Sequence, residues 1–413
     1  MSEASQVKVW RNLAINGETF PLLVETGHDG ITVSTAVHRQ QHEHRQGGVR
    51  FVRRGTHEEL GHLARGMTEK CAAARVPLDG LKCMVIAPGG EPAEPKAKAA
   101  LLAEHFRAVI KEDAGVIFGP DMGCPEEVLS EVASFPGLLV HLTGLTALWG
   151  GLEIDKRGYT AFGLVHAIEA AVPDCIPSRS FGIQGFGAVG SGAVQLVANR
   201  NGLVRAVSNK EGVLIANRGL DVRLLCRLWK DLGDACLAAY PGQSRCDGAE
   251  FRSRPEDLFD VEMDVFLPAA RTSVLAMSEE LPRTRWENPD VCDMARFVAK
   301  SGVKLIVEGA NHPLSEAAEA FGEKQGVVVL PDVLVNCGGM IGCRIEWQNR
   351  IRSLKSPERL TELDRLCRAQ IEETINRNVN EVRSSPTNAR HTANRIVQRE
   401  LARKDDYNVQ PPD

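Results

Sequence analysis

The sequence predicts an α/β fold class, and three observations carry that prediction. With 413 residues, the chain is too long for one ordinary hydrophobic core, which indicates two domains. From about residue 160 onward, short apolar runs alternate with helical segments, as in a parallel sheet flanked by helices. A Gly-x-Gly-x-x-Gly sequence at residues 185–190 follows one such run and opens a helix. This context is typical of a doubly wound, Rossmann-type nucleotide-binding domain.

Composition narrows the class of partner. Hydrophobic residues make up 43% of the chain, charged residues 25%, and the formal net charge is −5. These values predict neither a nucleic-acid partner nor a membrane partner. The first residues lack an apolar signal-peptide core. The 11 cysteines are scattered without a Cys-x-x-Cys pair, which indicates reduced thiols and predicts a cytoplasmic protein.

The first 150 residues mix strands and helices. Apolar residues at helical spacing predict a helix over residues 57–75. The following predicted elements are a strand over 81–88, a helix over 94–113 and a strand over 114–121. The glycine-rich stretch 145–160 breaks the pattern and predicts a domain junction.

The second half is more regular. Its predicted elements are a helix over 161–172, a strand over 179–187, a helix over 188–200, a strand over 202–210, and short strands within 263–270, 304–310 and 326–332. Two long helices with polar faces are predicted over 356–385 and 389–404.

The glycine-rich turn is the first candidate site. It comprises Gly185, Phe186, Gly187, Ala188, Val189 and Gly190. Its glycines permit a tight turn and a close approach of the backbone to a pyrophosphate, which the helix N-terminus then stabilises. The alternative is a glycine-rich turn that only packs against the sheet.

The next strand ends at Ser208, Asn209 and Lys210, where the residue that binds the adenosine ribose is expected. Asn209 would not repel a 2′-phosphate, and Lys210 can pair with one. We therefore predict NAD or NADP as the cofactor, with a slight preference for NADP or tolerance of both. A solvated Lys210 is the alternative.

Eight segments agree in order and spacing with one enzyme family. They are "QGGVRF" (46–51), "MTEK…DGLK" (67–82), "GPDMGC" (119–124), "TAFG" (160–163), "QGFGAVG" (184–190), "FLPAA" (266–270), "VEGANHPL" (307–314) and "LPDVLVNCGGMIGCRIEWQNR" (330–350). Together they resemble the glutamate/leucine/phenylalanine/valine dehydrogenase family, and most of all its glutamate dehydrogenase branch.

The resemblance implies a reaction and an architecture. Family members catalyse the reversible oxidative deamination of an L-amino acid to a 2-oxo acid and ammonia with NAD or NADP, as homo-oligomers that need no metal. The implied domains are a substrate-binding and oligomerisation domain over 1–150 and an NAD(P)-binding Rossmann domain over 151–340. C-terminal helices over 341–413 would pack back on the first domain.

The resemblance also assigns residues. Lys70 would hold the substrate α-carboxylate, Lys82 would be the catalytic lysine, and Asp121 would shuttle protons between the amino group and solvent. The implied substrate-binding set is Lys70, Gln46, Gly47, Gly48, Asn336 and Cys343. In addition to the turn and strand end above, the implied cofactor-binding set contains Thr160, Ala269, Ala270, Asn311 and Asn336.

Two lysines in one neighbourhood make chemical sense if one binds an anion and the other loses its proton. Burial in a closed site next to a second cation lowers a lysine pKa toward neutrality. Neutral Lys82 would then accept a proton from the water that attacks the substrate iminium, and protonated Lys82 would stabilise the developing oxygen. The alternative is a pair of solvated surface lysines.

The predicted substrate pocket departs from the glutamate dehydrogenase pattern. A lysine and a serine that hold the distal carboxylate of glutamate correspond here to Gln46 and Cys343. Because a buried carboxylate needs a cation or several donors, the accepted side chain is expected to differ from that of glutamate. Arg45 or Arg50 would restore carboxylate binding if either pointed inward, and solvated arginines are the alternative.

Two further departures concern turnover. Asp79 lies in the loop of Lys82, where it would hold the lysine charged and slow base catalysis. Ser273 replaces a family asparagine near the nicotinamide ribose. These changes keep a second hypothesis open, namely a non-catalytic or regulatory nucleotide-binding paralogue of glutamate dehydrogenase.

The sequence disfavours a hydroxy-acid dehydrogenase and a metal site. A hydroxy-acid dehydrogenase would need a histidine–carboxylate pair, and no histidine is placed for it. His38, His42 and His44 have a spacing that suits metal ligands on a helix, but a solvated histidine cluster is the preferred interpretation, and no metal is expected.

Overall fold

The computed structural model describes residues 6–173, 176–243, 248–281, 291–356 and 358–403. The chain forms two compact units. The first unit contains residues 1–157, 339–369 and 397–413, and the second contains residues 158–338 and 370–396. The domain boundaries at residues 150 and 340 stay predictions.

The first unit is built on a six-stranded mixed sheet with the order β1-β2-β3-β5-β4-β6. Its strands are β1 (Gln6–Ile15), β2 (Glu18–His28), β3 (Ile31–Val37), β4 (Arg45–Val52), β5 (Asp79–Ile86) and β6 (Val116–Gly119). β4 runs parallel to both β5 and β6, whereas β1, β2, β3 and β5 pair in antiparallel fashion. The carboxyl ends of β5, β4 and β6 therefore lie at one edge of the sheet.

Helices cover this sheet. They are α1 (His57–Ala73), α2 (Pro95–Glu112), α3 (Glu126–Ala133), the single turn α4 (Ile154–Arg157) and α12 (Gly338–Lys355), which belongs to this unit from residue 339 onward. Thr56 caps α1 by accepting a hydrogen bond from the Glu59 N–H, and Pro95 occupies the first turn of α2. In the core, the rings of Phe106 and Phe118 stack with centroids 3.8 Å apart.

The second unit contains a seven-stranded sheet with the order β10-β9-β8-β7-β11-β14-β15 and a small β12-β13 pair. Its strands are β7 (Ser180–Gln184), β8 (Leu203–Asn209), β9 (Gly212–Ile215), β10 (Glu250–Arg252), β11 (Val265–Pro268), β12 (Leu275–Ala276), β13 (Cys292–Asp293), β14 (Leu305–Val307) and β15 (Val328–Leu330). The five strands from β8 to β15 in that order are parallel. β9 and β10 extend the sheet as antiparallel strands that the sequence analysis did not predict.

The helices of the second unit connect these strands. They are α5 (Tyr159–Ala171), α6 (Ala188–Ala198), α7 (Val222–Leu232), α8 (Cys236–Ala239), α9 (Met294–Ser301), α10 (Glu316–Lys324) and α11 (Asp332–Val335). Side chains of Asp221, Asp293 and Ser315 cap α7, α9 and α10. Short 3₁₀ segments also occur, at Leu139–His141 and Ala147–Trp149 in the first unit and at Gly233–Ala235 and Pro255–Asp260 in the second.

Two long helices follow, α13 (Arg359–Ser384) and α14 (Ala389–Ala402). They confirm the two predicted helices, although Pro357 and Lys404 of the predicted ranges lie outside the described residues. No helix within the described ranges combines the length and apolarity needed to cross a bilayer.

Candidate active site

The centre of the candidate site is an ion-pair cluster in the first unit. Lys82 lies on the central strand β5, and its Nζ is 2.5 Å from the Oδ2 of Asp121, which follows β6. Arg50 on β4 contacts the same carboxylate, with Nε 2.9 Å from Oδ2 and Nη2 3.4 Å from Oδ1. The three parallel strands thus bring two cations to one carboxylate.

Two glycines make room for this cluster. A β-carbon at Gly48 would lie 2.8 Å from the Asp121 Cβ and 3.4 Å from the Lys82 Nζ. A β-carbon at Gly47 would overlap the Leu81 carbonyl oxygen at 1.7 Å. Any side chain at either position would therefore displace β5 or the Asp121 loop.

The electrostatics of the cluster set its protonation. Burial lowers the pKa of Lys82, the ion pair with Asp121 opposes this shift, and the charges of Arg50 and Lys70 lower the pKa further. Burial alone would raise the pKa of Asp121, but Lys82 and Arg50 outweigh it and hold that pKa well below its usual range. Arg50 is thus a neighbouring cation of Lys82 in addition to Lys70. The sequence analysis did not predict this role of Arg50. The signal was available, since Gly48 and Arg50 lie two residues apart and face the same side of a strand.

Lys70 is positioned by the packing of α1 on β5. The Gly80 N–H donates to the Thr68 hydroxyl at 2.8 Å, and a β-carbon at Gly80 would lie 2.2 Å from the Ala64 carbonyl oxygen. The last turn of α1, which carries Lys70, is thereby held against the strand that carries Lys82. The structure brings the two predicted lysines into one electrostatic neighbourhood.

The loop that carries Asp121 is held by a buried lysine. Lys98 on α2 donates to the Gly123 carbonyl at 2.8 Å and to Glu91 at 2.9 Å. The Phe51 N–H donates to the Met122 carbonyl at 2.9 Å. Lys98 is a second residue that the sequence analysis missed, because the motif around Asp121 does not contain it.

Gln46 and Cys343, the two departures from the glutamate pattern, both lie inside the first unit. Gln46 is buried, its Nε2 donates to the Met340 carbonyl at 3.3 Å, and its Oε1 is buried without a hydrogen-bond partner. The Cys343 Sγ lies 3.7 Å from the positions that β-carbons would take at Gly119 and at Gly144. Burial raises the pKa of the Cys343 thiol, and the nearby carboxyl of Glu346 raises it further, so the thiol stays neutral.

Acidic groups surround Cys343. Glu126 is buried, and its carboxylate accepts a hydrogen bond from the Asp155 N–H at 2.8 Å. Burial raises the pKa of Glu126 to about 8, and the charges of Asp155 and Glu127 act in the same direction. At neutral pH the Glu126 carboxyl is therefore mostly protonated and uncharged.

Three polar residues behave differently from the sequence expectation. Arg45 is half-buried and pairs with Asp113 at 3.1 Å, and Arg50 is engaged with Asp121, so neither is the solvated arginine that we preferred and both already pair with acids of the protein. Asp79 accepts from the N–H groups of Gln41 and His42 at 2.6 and 2.7 Å. The expectation that Asp79 holds Lys82 charged is thus wrong, because the carboxylate faces the loop before β4.

The three histidines of the predicted cluster have separate contacts. His38 bonds to the Thr68 hydroxyl, His42 pairs with Asp79, and the His44 ring packs on Trp347. The part of the chain that the structure describes contains no group of His, Cys, Asp and Glu residues able to hold a metal ion.

In the second unit the glycine-rich turn fits a dinucleotide. Gly185 has φ +95°, and a β-carbon at Gly190 would meet the Gly185 carbonyl oxygen at 1.8 Å, which closes the turn tightly. A β-carbon at Gly187 would meet nothing within 4 Å, so space is open in front of the first turn of α6. No side chain caps that helix, and the N–H groups of residues such as Ala188 and Val189 remain available to a phosphate.

Further predicted residues follow along the carboxyl ends of the strands. A β-carbon at Gly185 would lie 2.9 Å from the Ala270 Cβ, and one at Gly309 would lie 3.2 Å from the Ala269 Cβ. Asn336 donates to the Gly309 carbonyl at 3.2 Å and lies 3.4 Å from the Asn311 side chain. Its Oδ1 is buried without a hydrogen-bond partner. The carboxyl edge of this sheet thus extends from the glycine-rich turn to Asn336, whose amide oxygen can accept a hydrogen bond from a ligand.

Two predicted residues flank this edge. Thr160 lies in the first turn of α5, where its N–H is 3.1 Å from the position that a β-carbon would take at Gly338. Ser273 has φ +55°, and its N–H donates to the His312 carbonyl at 3.0 Å.

The end of β8 is arranged differently from the expectation. The Ser208 carbonyl accepts from the Gly185 N–H at 2.8 Å. The Asn209 amide donates to the Asp234 carbonyl at 2.7 Å, and the Lys210 Nζ pairs with the Asp234 carboxylate at 2.7 Å. Lys210, on which the predicted preference for NADP rested, is thus already paired with an acid.

Residues 150–407 match the family model described as glutamate/leucine/phenylalanine/valine dehydrogenase, and residues 19–133 match the model of the Glu/Leu/Phe/Val dehydrogenase dimerisation domain. Glutamate dehydrogenase B of Halobacterium salinarum is 27% identical over a 361-residue alignment that covers 80% of this chain and 74% of that protein.

Solved structures share the fold. A hetero-hexameric glutamate dehydrogenase from Thermus thermophilus in a leucine-bound form superposes with a TM-score of 0.72 at 22% identity, covering 99% of this chain and 91% of that chain. A glutamate dehydrogenase from Plasmodium falciparum superposes with a TM-score of 0.71 at 16% identity, covering 97% and 83%.

Proposed function

Because the chain belongs to the Glu/Leu/Phe/Val dehydrogenase family, we propose that it is an NAD(P)-dependent L-amino-acid dehydrogenase that prefers an uncharged side chain to that of glutamate. It would convert the amino acid reversibly to a 2-oxo acid and ammonia. The observation that carries the proposal is the buried Lys82, paired with Asp121 and flanked by Arg50.

The residues of the cluster have complementary tasks in this reaction. The glycine-rich turn at the start of α6 would hold the nucleotide, which would supply a hydride acceptor for the substrate α-carbon. Lys70 would hold the α-carboxylate, and Lys82, whose pKa burial lowers, would accept a proton from the attacking water. Protonated Lys82 would then stabilise the negative oxygen, and Asp121 would move protons to and from the amino group.

Arg50 is expected to set the pH dependence of this step. Its charge lowers the pKa of Lys82, so Arg50→Met should raise that pKa. Because catalysis needs neutral Lys82, the acid limb of kcat/KM should move to higher pH in this variant. Arg50→Lys keeps the charge but loses the two-point contact with Asp121, and it should shift the limb less. An acid limb at the same pH in all three proteins would contradict this assignment.

Gln46 and Cys343 are the basis for the proposed preference for an uncharged side chain. Neither residue carries a charge, and the two arginines near Gln46 in sequence are engaged with Asp113 and Asp121. An uncharged amino acid avoids the cost of burying an unpaired anion.

A second candidate substrate is glutamate held by Arg344. This arginine follows Cys343 on α12, and within the described ranges it forms no ion pair or hydrogen bond. Burial lowers its pKa, which indicates a guanidinium partly removed from water. If Arg344 supplies the missing cation, Arg344→Met should abolish activity on glutamate while activity on uncharged amino acids remains.

Restoring the two glutamate-type residues should change the substrate preference. Hydrogen bonds to charged groups contribute about 1.5–3 kcal/mol, which corresponds to about 10–100-fold in kcat/KM. The double variant Gln46→Lys, Cys343→Ser should gain glutamate activity by about that factor and lose activity on apolar amino acids. Gln46→Met, which stays uncharged, is the matched control. A glutamate kcat/KM that does not rise would count against the assignment of this pocket.

The proposed function is tested with a panel of amino acids, and of 2-oxo acids with ammonia, by following NADH and NADPH absorbance. Ammonia-dependent oxidation with a leucine-like or aromatic 2-oxo acid would support the proposal. If nucleotide binds but no substrate turns over, the chain is the non-catalytic or regulatory paralogue instead.

We also propose that the chain assembles with copies of itself in the cytoplasm. Residues 19–133 match a dimerisation domain, and Val7 and Val9 are exposed on the edge strand β1. Light scattering coupled to size-exclusion chromatography gives the number of subunits, and a monomer at micromolar concentration would refute the assembly.

A further inference from the structure

The turn after α7 places an acid at the end of β8. Asn209 ends β8, and both ends of its side-chain amide are engaged, with Nδ2 donating to the Asp234 carbonyl and Oδ1 accepting from the Glu211 N–H at 2.9 Å. The amide of Asn209 therefore serves to fix the segment that contains Asp234, rather than to bind a ribose by itself.

The segment also lies against the glycine-rich turn. The rings of Phe186 in that turn and Trp229 on α7 pack edge to face with centroids 5.7 Å apart. Gly233, with φ +57°, then ends α7 and redirects the chain into the 3₁₀ turn that carries Asp234. Asp234 is thus held between the turn that suits a pyrophosphate and the strand end where the adenosine ribose is expected.

The charges at this position are unfavourable for a phosphate. The Asp234 Oδ2 pairs with Lys210 at 2.7 Å, and the Asp234 side chain is 43% exposed. Its Oδ1 has no hydrogen-bond partner among the residues that the structure describes. Glu211 adds a second negative charge beside Lys210. One lysine facing two acids leaves a net negative site, which repels a 2′-phosphate and offers a carboxylate oxygen to a 2′-hydroxyl.

We propose that Asp234 selects NAD over NADP, by neutralising Lys210 and by accepting a hydrogen bond from the ribose hydroxyl. The inference rests on the proposed nucleotide site. Asp234, from the turn after α7, takes the place of the acid that is usual at the end of the second strand. The preference for NAD is the opposite of the preference for NADP that Asn209 and Lys210 suggest in sequence.

Direct binding tests this assignment without any need for turnover. NADH and NADPH are titrated into the full-length protein, and dissociation constants are read from nicotinamide fluorescence. The wild type should bind NADH at least about 10-fold more tightly than NADPH. In Asp234→Asn, Lys210 is free to pair with the 2′-phosphate of NADPH. The NADPH dissociation constant divided by the NADH dissociation constant should therefore fall by at least about 10-fold, mainly through tighter NADPH binding.

Two further variants separate the causes. Asp231→Asn removes the same charge from an exposed position on α7 that makes no ion pair within the described ranges, and it should leave the ratio unchanged. Adding Lys210→Met to Asp234→Asn should cancel the gain in NADPH binding. An unchanged ratio in Asp234→Asn, or a wild type that prefers NADPH, would overturn the assignment while leaving the nucleotide site in place. Failure of the wild type to bind either nucleotide would refute the site itself and the assignment with it.

Discussion

Lys82→Ala is expected to lower kcat by at least about 10²–10⁴-fold, since positioned acid–base groups contribute that much to a proton-transfer step. Lys82 is 5% exposed, and its ammonium contacts Asp121. Removing it deletes the proposed base and also leaves Asp121 with Arg50 as its remaining close cation. The affinity for NADH should not change, because the nucleotide site is built from residues of the second unit.

The measurement combines steady-state kinetics with nucleotide titration. Lys96→Ala, an exposed lysine on α2, serves as the control and should keep full activity. Turnover retained by Lys82→Ala would refute the proposed mechanism. Loss of NADH binding together with turnover would show that the substitution acts through folding.

Arg390→Met is expected to destabilise the protein by about 3–5 kcal/mol, the usual cost of removing one partner from buried ion pairs. The Arg390 guanidinium lies 2.7 Å from Glu308, 2.7 Å from Glu319 and 2.9 Å from Asp332, and all three acids are almost fully buried. Burial raises the pKa of Glu308 well above its usual range, and Arg390 opposes that shift. Without the arginine, the three carboxyl groups would lose the cation that contacts all of them, so that some of them must become protonated or exposed to water.

Urea denaturation followed by circular dichroism measures this loss. Arg395→Met, an exposed arginine on the same helix, should change the stability by less than about 0.5 kcal/mol. Glu319→Gln added to Arg390→Met should recover part of the loss, because one uncompensated charge is removed. Equal midpoints for Arg390→Met and the wild type would contradict the assigned role.

Periodicity and glycine placement predicted the parallel strands of the second sheet, the strands β5 and β6 and the longest helices other than α12, but none of the strands β1 to β4. The predicted helix over 94–113 corresponds to α2, and the predicted strand over 179–187 contains β7, because each has one clear apolar pattern. The antiparallel strands β9 and β10 were missed because they are only four and three residues long. Such short runs carry no periodic signal.

The candidate site was predictable where a motif names a residue, and not where a partner comes from elsewhere in the chain. Lys82 and Asp121 belong to motifs, and the structure brings them together. Asp234 lies 25 residues from Asn209, and Arg390 lies 82 residues from Glu308. Only the fold supplies such pairings, because no local sequence rule joins an exposed turn or a terminal helix to a strand end.

The two glycines on β4 have a consequence for protein engineering. Since even a methyl group at position 47 or 48 would collide with the neighbouring strand or the Asp121 loop, these positions offer no route to reshape the pocket. A library aimed at new amino-acid substrates should therefore hold both glycines constant and vary positions 46 and 343, which already carry the side chains of Gln and Cys.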